Sequence, residues 1–365
     1  MSGTQNIPQS ETWTIQRAHQ WTRDYLTQKG DEQARLSTEW LLSHACELSR
    51  IDVYTQFDKP LSPDERTRLR EAVRRRAAGE PLQYIVGEVG FRHLTLRVEP
   101  GVLIPRPETE VLVEIALEAL PEPKEGVQLR VLDLCTGSGC VGLSIAYERP
   151  DVRVIATDIC PKAVTLANEN ALANNLPDRF CAVEADLFKL LDEAEQGGTL
   201  HSPHTKCIGQ FVDPLLRSVL SYPPAQPHSN SERFDLIVSN PPYIPAAGMD
   251  ELPKEVADFE PALALDGGID GLDVARRIFK QAPDYLKELS HIILELDVRN
   301  VTMAADFAVQ LNTYKSVSTA SDLTGRVRFV LAEVMSLDGK TKADCFADVK
   351  GHTKKGDTYE QGVSS

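Results

Sequence analysis

The chain has 365 residues, which is enough for two domains and a substantial hydrophobic core. Its 54 acidic and 39 basic residues give a formal net charge of −15, which argues against a protein that depends on neutralising nucleic-acid phosphates. The seven cysteines are odd in number and contain no C-x-x-C pair, which indicates reduced core residues and neither a disulfide framework nor a zinc site.

The hydropathy of the chain indicates a protein that does not cross a membrane. The amino terminus has no basic region followed by an apolar run, and no stretch of about 18 apolar residues occurs. We therefore expect a soluble, cytoplasmic protein with no membrane contact.

Residues 1–80 are predicted to form a small helical domain. Apolar residues recur at helical spacing from Thr12 to Gly79, and Ser62 with Glu65 three residues later is typical of a capped helix start. The helix that follows contains six arginines. They form either a solvated face or a docking surface for an acidic partner, and both interpretations stay open. These residues are Arg66, Arg68, Arg70, Arg74, Arg75 and Arg76.

Residues 81–100 are predicted to form a β-hairpin that links two domains. Leu94, Leu96 and Val98 alternate with polar residues, as on one face of a strand. Gly87 and Gly90 are interpreted as turn residues before that strand.

From residue 101 to 334 the pattern alternates between strands and helices, which predicts a mostly parallel, doubly wound α/β sheet. Two runs near Tyr314–Ala320 and Arg326–Glu333 are predicted to form a terminal hairpin. The predicted strands are Leu129–Cys135, Val152–Ile159, Phe180–Phe188, Phe234–Asn240 and His291–Asp297, and the predicted helices begin at Cys140 or span Pro161–Asn175 and Gly271–Leu289.

Two segments do not fit this alternation. Residues 192–232 are rich in Gly, Ser, Pro and His, which predicts an insertion loop. His201, His204 and Cys207 within it lack a fourth ligand at a convincing spacing, so we expect no metal site. Residues 335–365 are polar and charged, and we expect them to be disordered.

The segment Val131–Gly142 is a strand followed by a glycine-containing loop and a helix. Gly137 and Gly139 permit a close approach between backbone and ligand, and the following helix offers unpaired N–H groups. This pattern alone is weak, because nicotinamide and flavin enzymes share it. We read the loop as departing from the dinucleotide-binding fingerprint, because Cys135 stands where a further glycine is expected.

Three aspartates at the ends of successive predicted strands favour S-adenosylmethionine as the ligand. Asp133 can meet its ammonium group, Asp158 can accept from both ribose hydroxyls, and Asp186 lies where an adenine would. Leu187 and Phe188 would cover the adenine. A single aspartate here could simply cap a helix, but three in succession are harder to explain that way.

The segment Asn240-Pro241-Pro242-Tyr243 ends a predicted buried strand with residues suited to holding a planar nitrogen group. The Asn240 side-chain oxygen and the Pro241 carbonyl can accept the two N–H bonds of an amide or an exocyclic amine. Pro242 stiffens the loop, and Tyr243 offers a flat face and a hydroxyl. The plain alternative is a turn that ends a strand, followed by a core tyrosine.

The sequence resembles the release factor glutamine methyltransferases, the HemK/PrmC family, from about Thr12 to Val334. The resemblance is most specific in "PLQYI" and "IPRPETE". The similar segments are Gly79–Phe91, Val102–Glu110, Asp133–Gly139, Ser239–Ile244 and Glu260–Leu272.

The resemblance implies a Rossmann-like class I methyltransferase fold with a seven-stranded, mostly parallel sheet after a small helical domain. It implies transfer of a methyl group from S-adenosylmethionine to the glutamine amide of the GGQ motif in class I peptide chain release factors. The helical domain would bind the release factor, and Asn240 to Tyr243 would hold the glutamine amide. The implied cofactor contacts are Cys135, Thr136, Gly137, Ser138, Gly139, Asp158, Leu187 and Asn240.

The sequence departs from the family pattern in two places. Residues 192–232 replace a short connection, and Leu294–Val301 replaces the family's usual glutamate–glycine–glutamine pattern.

Two alternative functions stay open. One is a methyltransferase acting on an exocyclic amine of a nucleic-acid base, and the other is a binding module without catalysis. The acidic net charge weighs against the first, so we expect no stable nucleic-acid binding, and we expect a monomer.

Overall fold

The computed structural model describes residues 12–190 and 233–336. The predicted insertion loop at 192–232 and the tail from residue 337 onwards lie outside the described residues. Among the residues described, no helix is long and apolar enough to span a bilayer. The cysteines within the described ranges are all free; Cys46, Cys140 and Cys181 are buried, whereas Cys135 and Cys160, which were predicted to be core residues, are only partly buried.

The amino-terminal part is a set of helices around one apolar core. Ile15, Leu41, Leu42, Val53 and Val73 are among its fully enclosed side chains. The predicted helix start is confirmed, since Ser62 and Glu65 form a reciprocal capping box with Pro63 in the first turn. The helices are α1 (Ile15–Gln28), α2 (Ala34–Cys46), α3 (Arg50–Thr55), α4 (Pro63–Ala77) and α5 (Leu82–Val86).

A two-stranded antiparallel hairpin follows, formed by β1 (Glu88–Phe91) and β2 (Leu94–Arg97). Its turn lies at Arg92, which has a φ of 49°. The prediction that Gly90 is a turn residue was wrong, since it lies inside β1 opposite Thr95. Gly87, by contrast, ends α5 in a left-handed conformation.

The second part of the chain is built on a mixed sheet. Seven strands of six to ten residues lie in the order β5-β4-β3-β7-β8-β10-β9, and the two-residue strand β6 (Lys189–Leu190) pairs with the outer edge of β5. The pairs from β5 to β8 are parallel, and the two pairs that involve β10 are antiparallel. The long strands are β3 (Leu129–Leu134), β4 (Val152–Asp158), β5 (Phe180–Asp186), β7 (Phe234–Ser239), β8 (Leu286–Glu295), β9 (Tyr314–Ser321) and β10 (Val327–Val334).

Helices cover both faces of this sheet, and alternate residues of each strand serve the two faces. In β7, for example, Ile237 joins one core cluster while Leu236 and Val238 join the other. The helices are α6 (Thr109–Ala119), α7 (Cys140–Glu148), α8 (Pro161–Ala173), α9 (Lys254–Phe259), α10 (Asp273–Gln281) and α11 (Val301–Gln310).

The predicted helix Gly271–Leu289 was wrong at its carboxyl end. Helix α10 ends at Gln281 and a short 3₁₀ turn containing Pro283 follows, so that β8 begins as early as Leu286. Proline lacks the N–H that a continuing helix requires, which explains the early ending.

Candidate active site

A cavity of about 270 Å³ opens at the carboxyl ends of β3, β4, β5 and β7. Residues 101–106, with Pro261, Leu263, Ala264 and Asp266, supply much of its remaining wall. Gly139, Pro241 and Tyr243 do not line it. The sequence-predicted site residues that do are Asp133, Cys135, Thr136, Gly137, Ser138, Asp158, Asp186, Leu187, Asn240 and Pro242.

The loop between β3 and α7 adopts a conformation that favours glycine. Cys135, Gly137 and Gly139 all have positive φ angles, of 57°, 56° and 85°. A Cβ on Gly139 would lie 2.9 Å from Leu143 Cδ1 and 3.2 Å from Ala167 Cβ. Close packing of the loop against α7 and α8 therefore requires glycine at this position.

Asp133 organises this loop from beneath. The residue is 1 % exposed, and its Oδ2 accepts hydrogen bonds from Thr136 Oγ1 at 2.6 Å and from the Gly142 N–H at 3.0 Å. Burial raises the pKa of this carboxyl to about 7, against the opposing effect of these two bonds. One oxygen of Asp133 is thus committed to the loop.

Asp158 is fixed at the end of β4 by two backbone N–H groups. Gly137 N donates to its Oδ2 at 2.8 Å, and Cys160 N donates to its Oδ1 at 2.9 Å. Burial raises the pKa of Asp158, and these backbone bonds oppose that shift. The result is an oriented carboxylate in the cavity wall.

Asp186 lies at the end of β5 and forms an ion pair that the sequence did not predict. Its Oδ2 lies 2.7 Å from an Nη atom of Arg277 on α10, and Arg277 also lines the cavity. Leu187 lines the cavity with a positive φ of 58°. Phe188 does not cover the ligand as predicted, because its buried ring stacks on Tyr285 with a 4.5 Å centroid distance.

Asn240 follows the last residue of β7 and is half-buried at the cavity. Its Nδ2 donates to Thr109 Oγ1 at 3.2 Å, although 131 residues separate the two positions. Thr109 belongs to the "IPRPETE" segment and is the first residue of α6. Two motifs distant in sequence therefore meet at one side-chain amide.

The rest of the Asn240–Tyr243 segment is packed rather than exposed. Pro241 is buried, Pro242 lines the cavity, and the Tyr243 ring packs against the core cluster on the α10 face of the sheet. Burial raises the pKa of Tyr243, so its hydroxyl stays neutral. The Tyr243 carbonyl accepts a 3.0 Å hydrogen bond from Asn300 Nδ2, so the segment Leu294–Val301 contacts the Asn240–Tyr243 segment directly.

The glycine-rich run from Gly267 to Gly271 packs against the same segment. Ile244 N donates to Leu265 O at 2.8 Å, and Gly267 N donates back to Ile244 O at 2.9 Å. A Cβ on Gly271 would lie 2.3 Å from Tyr243 O, so only glycine permits this approach. The loop after β7 is therefore clamped from two sides.

Arg106 places a positive charge in the cavity wall. It forms a 2.5 Å ion pair with Glu260, whose side chain is 1 % exposed. Within residues 12–190 and 233–336, no three His, Cys, Asp or Glu side chains lie together as a metal site requires. His201, His204 and Cys207 lie outside the described residues.

Comparisons with known proteins identify both parts of the chain. Residues 17–87 match the PrmC N-terminal domain family, and residues 105–199 match the methyltransferase small domain family. A release factor glutamine methyltransferase from Geobacter sulfurreducens is 41% identical over 79% of this chain and 86% of its own length. The chain belongs to the release factor glutamine methyltransferase family.

Other members of the family show similar coverage. The protein of that name from Rhodopirellula baltica is 34% identical over 87% of this chain and 95% of its own, and that from Moorella thermoacetica is 36% identical over 83% and 92%. A solved structure of a methyltransferase from Pyrococcus furiosus aligns with a TM-score of 0.40 and 16% identity, covering 67% of this chain and 90% of that chain.

Family membership confirms the predicted family, the methyltransferase fold with its seven long strands, and the enzyme class. Methyltransferases of this kind in general take the methyl group from S-adenosylmethionine. The contacts that each site residue makes with the cofactor, and the boundaries of the domains at residues 80, 100 and 334, stay predictions.

Proposed function

We propose that this protein methylates the side-chain amide nitrogen of the GGQ-motif glutamine in a class I peptide chain release factor. The observation that carries the proposal is the Asn240 amide, which is anchored through Nδ2 to Thr109 at the cavity while its oxygen accepts no hydrogen bond from the residues that the structure describes. The relatives named release factor glutamine methyltransferase support the same substrate.

The cavity suits S-adenosylmethionine as the methyl donor. Asp158 offers a carboxylate fixed by two N–H donors, and Leu187 and Ile159 offer apolar surface for an adenine. Asp186 would face the base edge beside Arg277, and the loop from Cys135 to Gly139 would lie against the methionine part. When bound, this cofactor supplies a methyl group on a positively charged sulfur. The sulfur keeps the electron pair of the C–S bond when the methyl group is transferred.

The residues of this chain solve the problem that an amide nitrogen is a poor nucleophile. The lone pair of the amide nitrogen is conjugated with the carbonyl group. Two hydrogen-bond acceptors, one for each N–H bond, are needed to hold the nitrogen in place for attack. Asn240 Oδ1, at the cavity, would supply one acceptor, and the Pro241 carbonyl is the proposed second one, although Pro241 itself is buried beside the cavity and does not line it. One amide proton leaves to water after the nitrogen has become cationic, so no side-chain base is required.

The helical part at residues 1–80 would bind the body of the release factor. Four of the six arginines of α4 pair with acidic side chains of the same chain: Arg68 with Glu47, Arg74 with Glu71, Arg75 with Glu80, and Arg76 with Asp31. Arg66 and Arg70 are exposed, and neither has an acidic partner among the residues that the structure describes. These two positions, one helical turn apart, are the best candidates for contacting an acidic surface.

The proposal is tested by incubating the purified protein with labelled S-adenosylmethionine and a recombinant release factor. Label should enter the release factor and should disappear when the GGQ glutamine is replaced. Transfer to DNA or ribosomal RNA, with none to the release factor, would instead support the base-amine alternative.

A further inference from the structure

Behind Asn240 lies a line of buried polar side chains that leads away from the cavity. Thr109 at the start of α6 and Glu295 at the end of β8 are each 1 % exposed. Asn240 Nδ2 donates to Thr109 Oγ1 at 3.2 Å, and helix α6 packs against β8, which places the Thr109 side chain beside the Glu295 carboxyl. Three elements distant in sequence thus place these three side chains next to one another.

The chemistry of these groups gives the hydrogen bonds among them a single direction. A hydroxyl has one proton, and an ionised carboxylate can only accept, so above about pH 7, where Glu295 is charged, the Thr109 proton is directed to Glu295. The Thr109 oxygen can then only accept a hydrogen bond from Asn240, which requires the NH₂ group of that amide to face Thr109. The side-chain oxygen of Asn240 must therefore point the other way, where the substrate amide would need an acceptor.

Glu295 is costly to keep as a carboxylate in this place. Burial raises its pKa to about 7, and its Oε2 has no hydrogen-bond partner among the described residues. The charged groups that act on it are Arg328 of β10, with Arg106 and Glu108 before α6. Tyr243 also faces it across the loop, with a neutral hydroxyl. A residue retained for stability alone would not be an unsatisfied buried acid.

We propose that Thr109 and Glu295 are positioning residues of the methyl transfer, which fix the Asn240 amide with its oxygen toward the attacking nitrogen. The inference rests on the proposed function only in that Asn240 must hold the acceptor amide. Neither residue is assigned to bind the release factor or the cofactor.

The first test uses Thr109→Val, which keeps the shape of the side chain and removes its hydroxyl, and Thr109→Ser, which keeps the hydroxyl. Valine should lower kcat by about tenfold or more, since a misaligned acceptor slows attack, while KM for the release factor and Kd for S-adenosylhomocysteine change less than about twofold. Serine should restore kcat to within about threefold of wild type. Equal activity of the valine and serine variants would overturn the proposal.

The second test uses Glu295→Gln at pH 8. The glutamine NH₂ can donate to Thr109, so the threonine proton becomes free to be donated to Asn240. The side-chain amide of Asn240 can then rotate by half a turn and point its NH₂ group, instead of its oxygen, at the substrate. We expect kcat to fall by about tenfold while Tm stays equal or rises, because a buried charge has been removed. A purely structural role predicts the reverse pattern: a lower Tm with kcat per folded molecule unchanged.

A matched control is Tyr314→Phe, which removes another buried hydroxyl, the donor of a 2.7 Å bond to Phe279 O on the α10 face of the sheet. It should lower Tm and leave kcat unchanged. Failure of the proposed function is recognised separately, because wild-type protein would then methylate no release factor. If wild type is active and Thr109→Val and Glu295→Gln match it in kcat, the positioning proposal alone fails.

Discussion

At the scale of single residues, the site depends on side chains whose partners lie far away in sequence. Asn240, Asp158 and Asp186 could be predicted because each ends a strand, and strand ends meet at one edge of a parallel sheet. Thr109, Glu295 and Arg277 could not, because nothing in their local sequence indicates which strand end they reach. The fingerprint interpretation was wrong in one respect, since Gly142 does complete the G-x-G-x-x-G spacing that begins at Gly137.

The pH dependence of stability should reveal the buried carboxyl of Glu295. Its pKa is about 7 in the folded protein against 4.5 as the ordinary value, so the folded state takes up a proton more readily than the unfolded state. Its contribution to stability is therefore fully present below about pH 4.5 and is lost as the pH rises through 7.

The Glu295→Gln variant lacks this titration. Relative to wild type it should be more stable by roughly 1–3 kcal/mol at pH 8, and the difference should shrink steadily as the pH is lowered to 5. Urea unfolding of both proteins between pH 5 and pH 8 measures this difference in unfolding free energy. A difference that is constant with pH would mean that Glu295 titrates normally.

At the scale of elements, periodicity predicted most strands and helices, and it failed where the apolar spacing of a helix continues into the strand that follows it. The helix predicted over Gly271–Leu289 merges an actual helix with the first four residues of β8, because its apolar spacing continues past Pro283, the residue that marks the true end of the helix. The packing of the glycine-rich run against the loop after β7 was likewise invisible in sequence. It becomes clear only from the distance between Gly271 and Tyr243.

Gly271→Ala tests that packing. Alanine here has an unfavourable φ of 77°, and its Cβ would overlap Tyr243 O at 2.3 Å and Asn300 Nδ2 at 2.5 Å. We expect a loss of roughly 3 kcal/mol or more in unfolding free energy, together with a lower kcat because the Asn240 loop must shift.

The matched control for this variant is Gly325→Ala, which has a similar φ of 81° and no atom within 4 Å of the added Cβ. It should cost only about 1–2 kcal/mol, from the left-handed backbone alone, with unchanged kcat. Similar losses in both variants would show that the loop contact contributes nothing.

At the scale of the whole molecule, Arg76 joins the helical part to the methyltransferase part. It forms ion pairs with Asp31 at 2.8 Å and with Glu255 of α9 at 3.0 Å, and Gly79 lies against Phe259 of the same helix. The helix that follows the Asn240 loop is therefore tied directly to the predicted substrate-binding helices.

The two ion pairs of Arg76 should differ strongly in strength. Asp31 is 6 % exposed, so Arg76→Ala leaves a buried charge unpaired and should cost about 3 kcal/mol. Glu255 is 42 % exposed, so Glu255→Gln should cost less than about 1 kcal/mol. Urea unfolding monitored by tryptophan fluorescence distinguishes them, and equal losses would contradict this account.

The candidate docking surface on α4 predicts an effect on substrate binding alone. Arg70→Glu should raise KM for the release factor by about fivefold or more with kcat unchanged, since charge reversal weakens encounter with an acidic surface. Arg326→Glu, an equal charge reversal at the β9–β10 turn, is the control and should have no effect. An unchanged KM in Arg70→Glu would favour the solvated-face interpretation of these arginines.

The proposed role of Asn240 is to hold a release factor glutamine for methylation on its amide nitrogen. The most direct test is mass spectrometry of the release factor peptide that contains the GGQ motif, after incubation with S-adenosylmethionine and either wild-type protein or Asn240→Ala. We predict one methyl group on the glutamine amide with wild type and at least about a hundredfold slower modification with the variant. A methyl group on any other residue, or equal rates for the two proteins, would contradict this proposal.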